Sequence, residues 1–493
     1  MKLIFSKNDF KYEIEGVMKL FIPATLFDIE YADAGFSFAD IQGDYAFVRR
    51  ADQNDRVLVY ALCRLAGKTA HKWAFLQSNT RDFENECELA LCKCLYKCLS
   101  RLTGKIPEWG VITGVRPVKQ VNRLLSVGMT DDGIRAYMKE RYLCSDKKTD
   151  IALMTAHTQK PLLDSLDERS FGLYISVPFC PTRCSYCSFV SQSVGSVRHL
   201  IPEYVRLLCE EIETTAALCE KIGIYPDSVY FGGGTPTTLS ASQLSAVMDR
   251  IARCFDLSRV REYTVEAGRP DTITEEKLLA VKSGGATRVS INPQSLSDDV
   301  LKAIGRKHTV RQFLESYDLA RKVGFECINT DIIAGLPADT EHSFENTVNT
   351  LIDKKAENIT VHTLSIKRAA RLNREGTGSA LKNPAGAMVA YATDRLLASG
   401  YRPYYLYRQK NMLENQENIG WALSGKESLY NIYIMEEVQT IIALGAGGST
   451  KLVDKKGGRL ERVFNYKYPG EYITGFEEMI RRKGRIGDFY AKK

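Results

Sequence analysis

The chain has 493 residues, 44% hydrophobic and 26% charged, and its 67 basic and 60 acidic side chains leave a net charge of +7. That is an ordinary globular composition, long enough for two or three domains with substantial cores. No apolar run nears the ~20 residues of a membrane-spanning helix, so no membrane span is expected. Charge spread over both signs predicts no nucleic-acid partner and is compatible with an anionic small substrate.

Taken from the start, the apolar part of Met1–Lys7 is too short for a signal peptide and lacks a small-residue cleavage site, so a cytoplasmic protein is expected. Alternation over Asp44–Arg50 and Arg56–Leu65 predicts antiparallel strands, followed by helical patterns near 83–103, 116–127, 130–143 and 146–166. Cys87, Cys94 and Cys98 share one helical face with Leu91 and Leu95 and read as core rather than as a metal site. These residues form an α+β domain over 1–166, and the polar run Asp167-Glu168-Arg169-Ser170 marks its boundary.

From Gly172 the pattern changes to apolar, β-branched runs alternating with amphipathic helices, the mark of parallel βα units. Strands are predicted at 172–177, 228–231, 262–266, 288–292, 327–333 and 358–363, and helices near 202–222, 241–255, 274–283, 309–323 and 341–354. Ser240 with Gln243, and Thr309 with Gln312, have capping-box spacing at two helix starts. Six such units predict a partial (β/α)6 barrel over 167–385, with its site at the C-terminal strand ends, and an α+β extension over 386–493. The basic tail ending in Lys492-Lys493 reads as solvated.

Directly after the first barrel strand come Cys180, Cys184 and Cys187, spaced C-x3-C-x2-C. Thiolates are soft ligands suited to zinc or iron–sulfur clusters, but structural zinc sites take four ligands, usually from two separated pairs. Three thiolates on a cubane cluster leave one iron open to a small chelating molecule. A zinc ion completed by a distant residue, and buried structural thiols, are the alternative readings. An odd count of thirteen cysteines without a secretory segment argues against a disulfide framework.

The second strand leads into Gly232-Gly233-Gly234-Thr235-Pro236, where consecutive glycines expose backbone N–H and C=O groups that an amino acid zwitterion can pair with. It has neither Walker nor dinucleotide-fold spacing. Glu266 ends the third strand, Gln294 follows the fourth and Asp331 lies on the fifth; a charge on an otherwise apolar strand favours ligand contact over packing for Glu266 and Asp331. Arg306 has the planar fork to neutralise a carboxylate. His308 and His362 are weaker candidates, and Gly445–Lys451 reads as a turn bordering the site rather than a phosphate loop.

The cysteine spacing resembles the radical S-adenosylmethionine (radical SAM) superfamily. The order of Tyr174, the cysteines, Gly232–Pro236, Glu266, Gln294, Ile304–Thr309 and Gly335-Leu336-Pro337 closely resembles its oxygen-independent coproporphyrinogen III oxidase group. Ile359–Leu364, Tyr404–Met412 and Ile441–Gly447 look like the HemZ branch in particular, as does a domain ahead of the barrel. The resemblance implies that Cys180, Cys184 and Cys187 ligate a [4Fe–4S] cluster and that Tyr174, Tyr186, Gly233, Gly234, Thr235, Glu266, Gln294, Arg306 and Asp331 contact SAM. It implies a tetrapyrrole substrate, an electron donor such as flavodoxin or ferredoxin, and a reaction in which a 5′-deoxyadenosyl radical takes hydrogen from a propionate. Loss of carbon dioxide and one electron then leaves a vinyl group, twice over, giving protoporphyrinogen IX.

Three positions depart from that group. Phe189 stands where its established oxidases carry a further cysteine, Ser176 where histidine is common, and Glu266-Ala267-Gly268-Arg269-Pro270 replaces Glu-Ala-Asn-Pro. Phe189 also resembles a HemW-type haem chaperone, although Glu417-Asn418-Ile419-Gly420-Trp421 lacks the histidine of that class's C-terminal motif. Radical methyltransfer, cyclopropanation or haem degradation would use the same cluster site with another substrate pocket.

Overall fold

A computed structural model describes residues 1–491 except 8, 24–25, 33–37, 39–40, 115, 190, 366–383, 410–411 and 455–457. Lys410 and Asn411 of the HemZ-like stretch, and the terminal Lys492 and Lys493, lie outside the described residues. The chain divides into two compact units, Met1–Leu153 and Met154–Lys493.

In the first unit, β1 (Lys2–Phe5) pairs in parallel with β2 (Asp28–Tyr31) and β3 (Tyr45–Gln53), and β3, β4 (Arg56–Leu65) and β5 (Lys68–Gln77) form an antiparallel meander. Alternate residues Val57, Val59, Ala61 and Cys63 of β4 face a core shared with Cys87, Leu91, Leu95 and Cys98 of the helix Phe83–Thr103. The cysteines of that helix are therefore packing groups, as their spacing implies. Cys98 Sγ lies 3.6 Å from the Ala61 carbonyl. Three further helices follow, Pro117–Ser126, Asp131–Tyr142 and Asp146–Asp164.

The division falls within Asp146–Asp164 rather than at the polar run after it, because the end of that helix belongs to the second unit. There Leu162, Leu163 and Leu166 pack on Tyr404, Tyr405, Leu429 and Tyr433.

The second unit is built on one sheet. The strand β6 (Ser170–Val177) is followed by the two-residue strands β7 (Phe179–Cys180) and β8 (Gln192–Ser193), which pair with each other. Then come β9 (Tyr225–Gly233), β10 (Glu262–Glu266), β11 (Arg288–Ser290), β12 (Ile328–Ala334) and β13 (Asn358–Thr363). β6 and β9–β13 lie side by side in chain order, all parallel, which is the partial βα barrel the sequence predicts.

The intervening helices start where their caps stand. Ser240 with Gln243 and Thr309 with Gln312 form both bonds of the capping box, and Thr340 with Ser343 forms a third.

The residues after 385 extend this sheet at both ends instead of forming a body of their own. β14 (Arg402–Tyr407) and β15 (Asn418–Ala422) continue it antiparallel beyond β13. At the other end β16 (Thr440–Leu444) lies parallel against β6, followed by β17 (Ser449–Asp454) and β18 (Arg459–Phe464). Among the described residues no helix is long and apolar enough to cross a membrane.

Candidate active site

Every motif segment ends at one face, because parallel strands bring their C-terminal ends to the same edge of the sheet. β6 delivers the cysteine loop. Its backbone is tied on three sides: Gln192 N donates to Pro178 O (2.9 Å), Thr235 N to Phe179 O (2.7 Å) and Ser185 N to Ile304 O (3.0 Å).

Gly233 holds φ at +108°, and Gly234 passes so close that a Cβ there would lie 2.5 Å from Phe179 O and 3.0 Å from Cys180 Sγ. Only glycine fits this cradle. Thr235 Oγ1 donates to Cys180 Sγ at 3.6 Å.

A cavity of about 240 Å³ opens above these ends, lined by Cys180, Cys184, Cys187, Tyr186, Gly233, Gly234, Thr235, Glu266, Gln294, Arg306 and Asp331. Eleven of the twelve site residues expected from sequence therefore share one cavity. Tyr174 is the exception. It lies on β6 but outside that lining, and its ring stacks with Tyr230 and Tyr430 at centroid distances of 6.1 and 5.9 Å. Three residues before the strand's end, it packs among aromatic rings instead of reaching the cavity.

Two carboxylates face the cavity in different states. Burial raises Glu266 to about 7, against the hydrogen bond from Tyr230 OH (2.6 Å), with nearby Asp331 raising it further. Burial pushes Asp331 the same way, but the nearby His362 and the polar groups of Asn329 and Thr360 hold it below its usual range. Asn292 Nδ2 and Asn329 Nδ2 each donate to Asp331 at 2.9 Å, one to each oxygen.

Gln294 has φ +67°, a left-handed conformation uncommon for a residue with a side chain. Its backbone is held there by Gln294 N donating to Asp331 O and Ile333 N donating to Gln294 O, both at 3.0 Å.

Arg306 donates to Gly268 O (3.0 Å), Asn292 O (2.8 Å) and Tyr186 OH (3.3 Å), while its buried Nε has no partner. Its guanidinium thus keeps one donor for a ligand.

Of the two histidines, His362 lines the cavity 3.9 Å from Asp331. His308 is buried outside it, and desolvation beside Arg306 pushes it down to about 3. Neither the Gly445–Gly447 turn nor Ser176, whose Oγ donates to Ala446 O at 2.7 Å, lines the cavity.

Asn292, Asn329, Asn418 and Arg269 are site residues that motif reading passed over. Two-residue alternation could have found Asn329, which precedes Asp331 by two on β12 and so faces the same way.

All thirteen cysteines are unbridged. Among the described residues no three His, Cys, Asp or Glu side chains close on a single ion, and the three loop thiols stand around the cavity. Burial, reinforced by Cys184 and Cys180, raises the Cys187 thiol to about 11, so loading a metal there releases its proton. Soft thiol donors, the glycine cradle beside Cys180 and the unpartnered Arg306 Nε fit an iron–sulfur cluster with a polar ligand next to it.

Comparison with known proteins agrees. Residues 174–351 match the Radical SAM superfamily. Coproporphyrinogen III oxidase HemN from Escherichia coli, described as a radical SAM enzyme, superposes with a TM-score of 0.50 at 21% identity, over 66% of this chain and 73% of that one. The fold and the cavity are those of a radical SAM protein, whose cofactors are a [4Fe–4S] cluster and SAM.

Identity to the oxygen-independent coproporphyrinogen-III oxidase-like protein HemZ of Bacillus subtilis is 39% over 388 residues, 77% of each chain. The chain belongs to this HemZ family. It is also 30% identical over 320 residues to the heme chaperone HemW of Lactococcus lactis, covering 64% of this chain and 78% of the relative.

Proposed function

We propose that this protein is a cytoplasmic enzyme that oxidatively decarboxylates the propionates of coproporphyrinogen III to vinyl groups. The observation that carries the reading is the convergence of the three cysteines, Gly233–Thr235, Glu266, Gln294, Arg306 and Asp331 on one cavity, in a chain 39% identical to an oxidase-like relative.

In this reading Cys180, Cys184 and Cys187 hold the cluster. The exposed backbone of Gly233 and Gly234 with Thr235 receives the amino acid part of SAM. Glu266, Gln294, Arg306 and Asp331 orient the rest, the Asp331 carboxylate being kept ionised by its asparagine donors and the nearby His362.

A cluster held by Cys180, Cys184 and Cys187 would supply the electron for reductive cleavage of SAM and so the hydrogen-abstracting radical. The substrate would then lose carbon dioxide, and its one remaining electron would pass to an acceptor. The protein's part is to hold one C–H bond in reach and keep water away. Phe189, 70% exposed and lining the cavity, offers an aromatic face at its rim to a flat macrocycle. An external flavodoxin- or ferredoxin-like protein supplies the electron.

A haem chaperone is the second reading, favoured by Phe189 in place of a further cysteine and by the HemW relative. The two separate in an anaerobic assay of reconstituted protein with SAM, strong reductant and coproporphyrinogen III. Deoxyadenosine together with a porphyrinogen lacking two carboxyl groups, both absent in Cys184→Ala, is the expected result. Stoichiometric haem binding with neither product would sink the enzyme reading. Deoxyadenosine alone would move it to another substrate.

A further inference from the structure

Arg269 stands inside the segment that departs from the Glu-Ala-Asn-Pro pattern, and the structure gives this departure a location. Its buried side chain turns into the cysteine loop. Nη1 donates to Thr182 O at 3.2 Å and reaches Cys184 Sγ at 3.6 Å, and Nη2 donates to Thr182 Oγ1 at 2.9 Å. The other edge of the fork meets Asp271 through Nε at 3.1 Å and Nη2 at 3.2 Å. The guanidinium therefore spans from one carboxylate to one sulfur, and its bonds other than those to Asp271 go to the segment between Cys180 and Cys184.

We propose that Arg269 sets the reduction potential of the cluster by placing a fixed positive charge and an N–H donor on the sulfur of Cys184. This rests on the reading of Cys184 as a ligand. Reduction adds one electron to the cluster and its thiolates, so a cation and donor at a ligand sulfur stabilise the reduced form more than the oxidised one.

In a buried setting that difference is weakly screened. A guanidinium does not lose its proton under working conditions, so the effect is constant with pH. Asp271 orients the fork and offsets part of its charge. Arg306 interacts with the same thiol, but it is tied to Gly268 and Asn292 carbonyls and to Tyr186, and it lines the cavity toward the proposed SAM contacts. Arg269 is thus a positioning residue that works through Cys184.

The test reconstitutes wild type, Arg269→Gln, Arg269→Lys, Asp271→Asn and Cys184→Ala anaerobically. Iron and sulfide per chain are measured, and then the midpoint potential is read by EPR-monitored redox titration without SAM. Arg269→Gln is expected to keep its cluster and to shift the equilibrium about tenfold toward the oxidised form, roughly 59 mV for a one-electron couple. Arg269→Lys falls between it and wild type, and Asp271→Asn shifts the opposite way.

A full cluster in Arg269→Gln with less than about a twofold shift overturns the proposal. Should that variant load no cluster, Asp271→Asn decides, and an unchanged or lower midpoint overturns it. Full cluster content in Cys184→Ala refutes the ligand reading itself, whatever Arg269 does.

Discussion

Glu211 and Lys483 form an ion pair at 2.9 Å with side-chain exposures of 0% and 2%. The pair joins the helix Ile201–Ile222, which follows the cysteine loop, to the helix Phe476–Ala491. Glu211 also accepts from Gly445 N and Tyr472 OH, both at 2.7 Å, and from Asn465 Nδ2 at 2.8 Å, while Lys483 donates to Ala443 O at 2.5 Å. Ala446 N in turn donates to Tyr204 OH at 2.9 Å, and Tyr204 OH donates to Ser176 O at 2.7 Å. The buried pair therefore anchors the turn that supports the end of β6.

Removing one partner leaves the other charge buried and uncompensated. Lys483→Met is expected to cost ~3–5 kcal/mol of unfolding free energy in the second unit, and Glu211→Gln with Lys483→Met together less than Lys483→Met alone. Urea unfolding followed by tryptophan fluorescence measures both. A single variant within about 1 kcal/mol of wild type would show that the pair is not the anchor.

Glu266 gives the ligand-free protein a pH signature. Its folded value, about 7, lies above the usual 4.5, so between these limits the folded chain binds more protons than the unfolded one. The contribution is neutral below the lower value, and stability falls as pH rises through the window. Tyr230, Tyr174 and Tyr430 nearby are all pushed upward by burial, and Asp331 is held below its usual range, so none of these supplies the slope. Glu266→Gln is expected to melt with wild type near about pH 4.5 and above it near about pH 8. Parallel melting curves across that range would contradict the assignment.

Gly234→Ala tests the cradle. The new Cβ must move Phe179 O and Cys180 Sγ, both in the cysteine loop. Cluster content after reconstitution is expected to drop below about half, because the strain falls on the backbone that carries Cys180. Full iron and sulfide content in this variant would mean that the loop has room the structure does not show.

Gln294 offers a local comparison. At φ +67° asparagine is tolerated and a β-branched residue is not. Gln294→Asn should keep stability within about 1 kcal/mol, and Gln294→Val should lose about 2 or more. Equal losses in thermal melts would place the strain elsewhere.

The barrel was legible because its strands are short apolar runs bounded by caps and glycines. The stretches 262–266 and 358–363 coincide with β10 and β13. β11 ends at Ser290 rather than at 292, since Pro293 and the positive φ of Gln294 turn the chain away. β5 escaped notice because His71, Trp73 and Phe75 all point to an exposed face, which blurs the alternation. β16 is buried at all five positions, a run with no period to read.

In the site, residue type and order located the cavity, but depth did not follow from them. Tyr174 lies among stacked rings outside the lining, and nothing in the string of letters tells which sulfur Arg269 touches.

The placement of β16 has a consequence for how the molecule is made. Ser176 and Ala446, hydrogen-bonded neighbours near the end of β6, are 270 residues apart in the chain. On the ribosome, β6 can find β9 early, but its other edge stays bare until the last strands emerge. An unpaired strand edge invites pairing with other chains. The three thiols just beyond it are then exposed on an unfinished scaffold, so insertion of iron and sulfide is expected only once β16 has paired with β6. Chains stopped before Thr440 should aggregate and take up little iron, whereas full-length apoprotein accepts it.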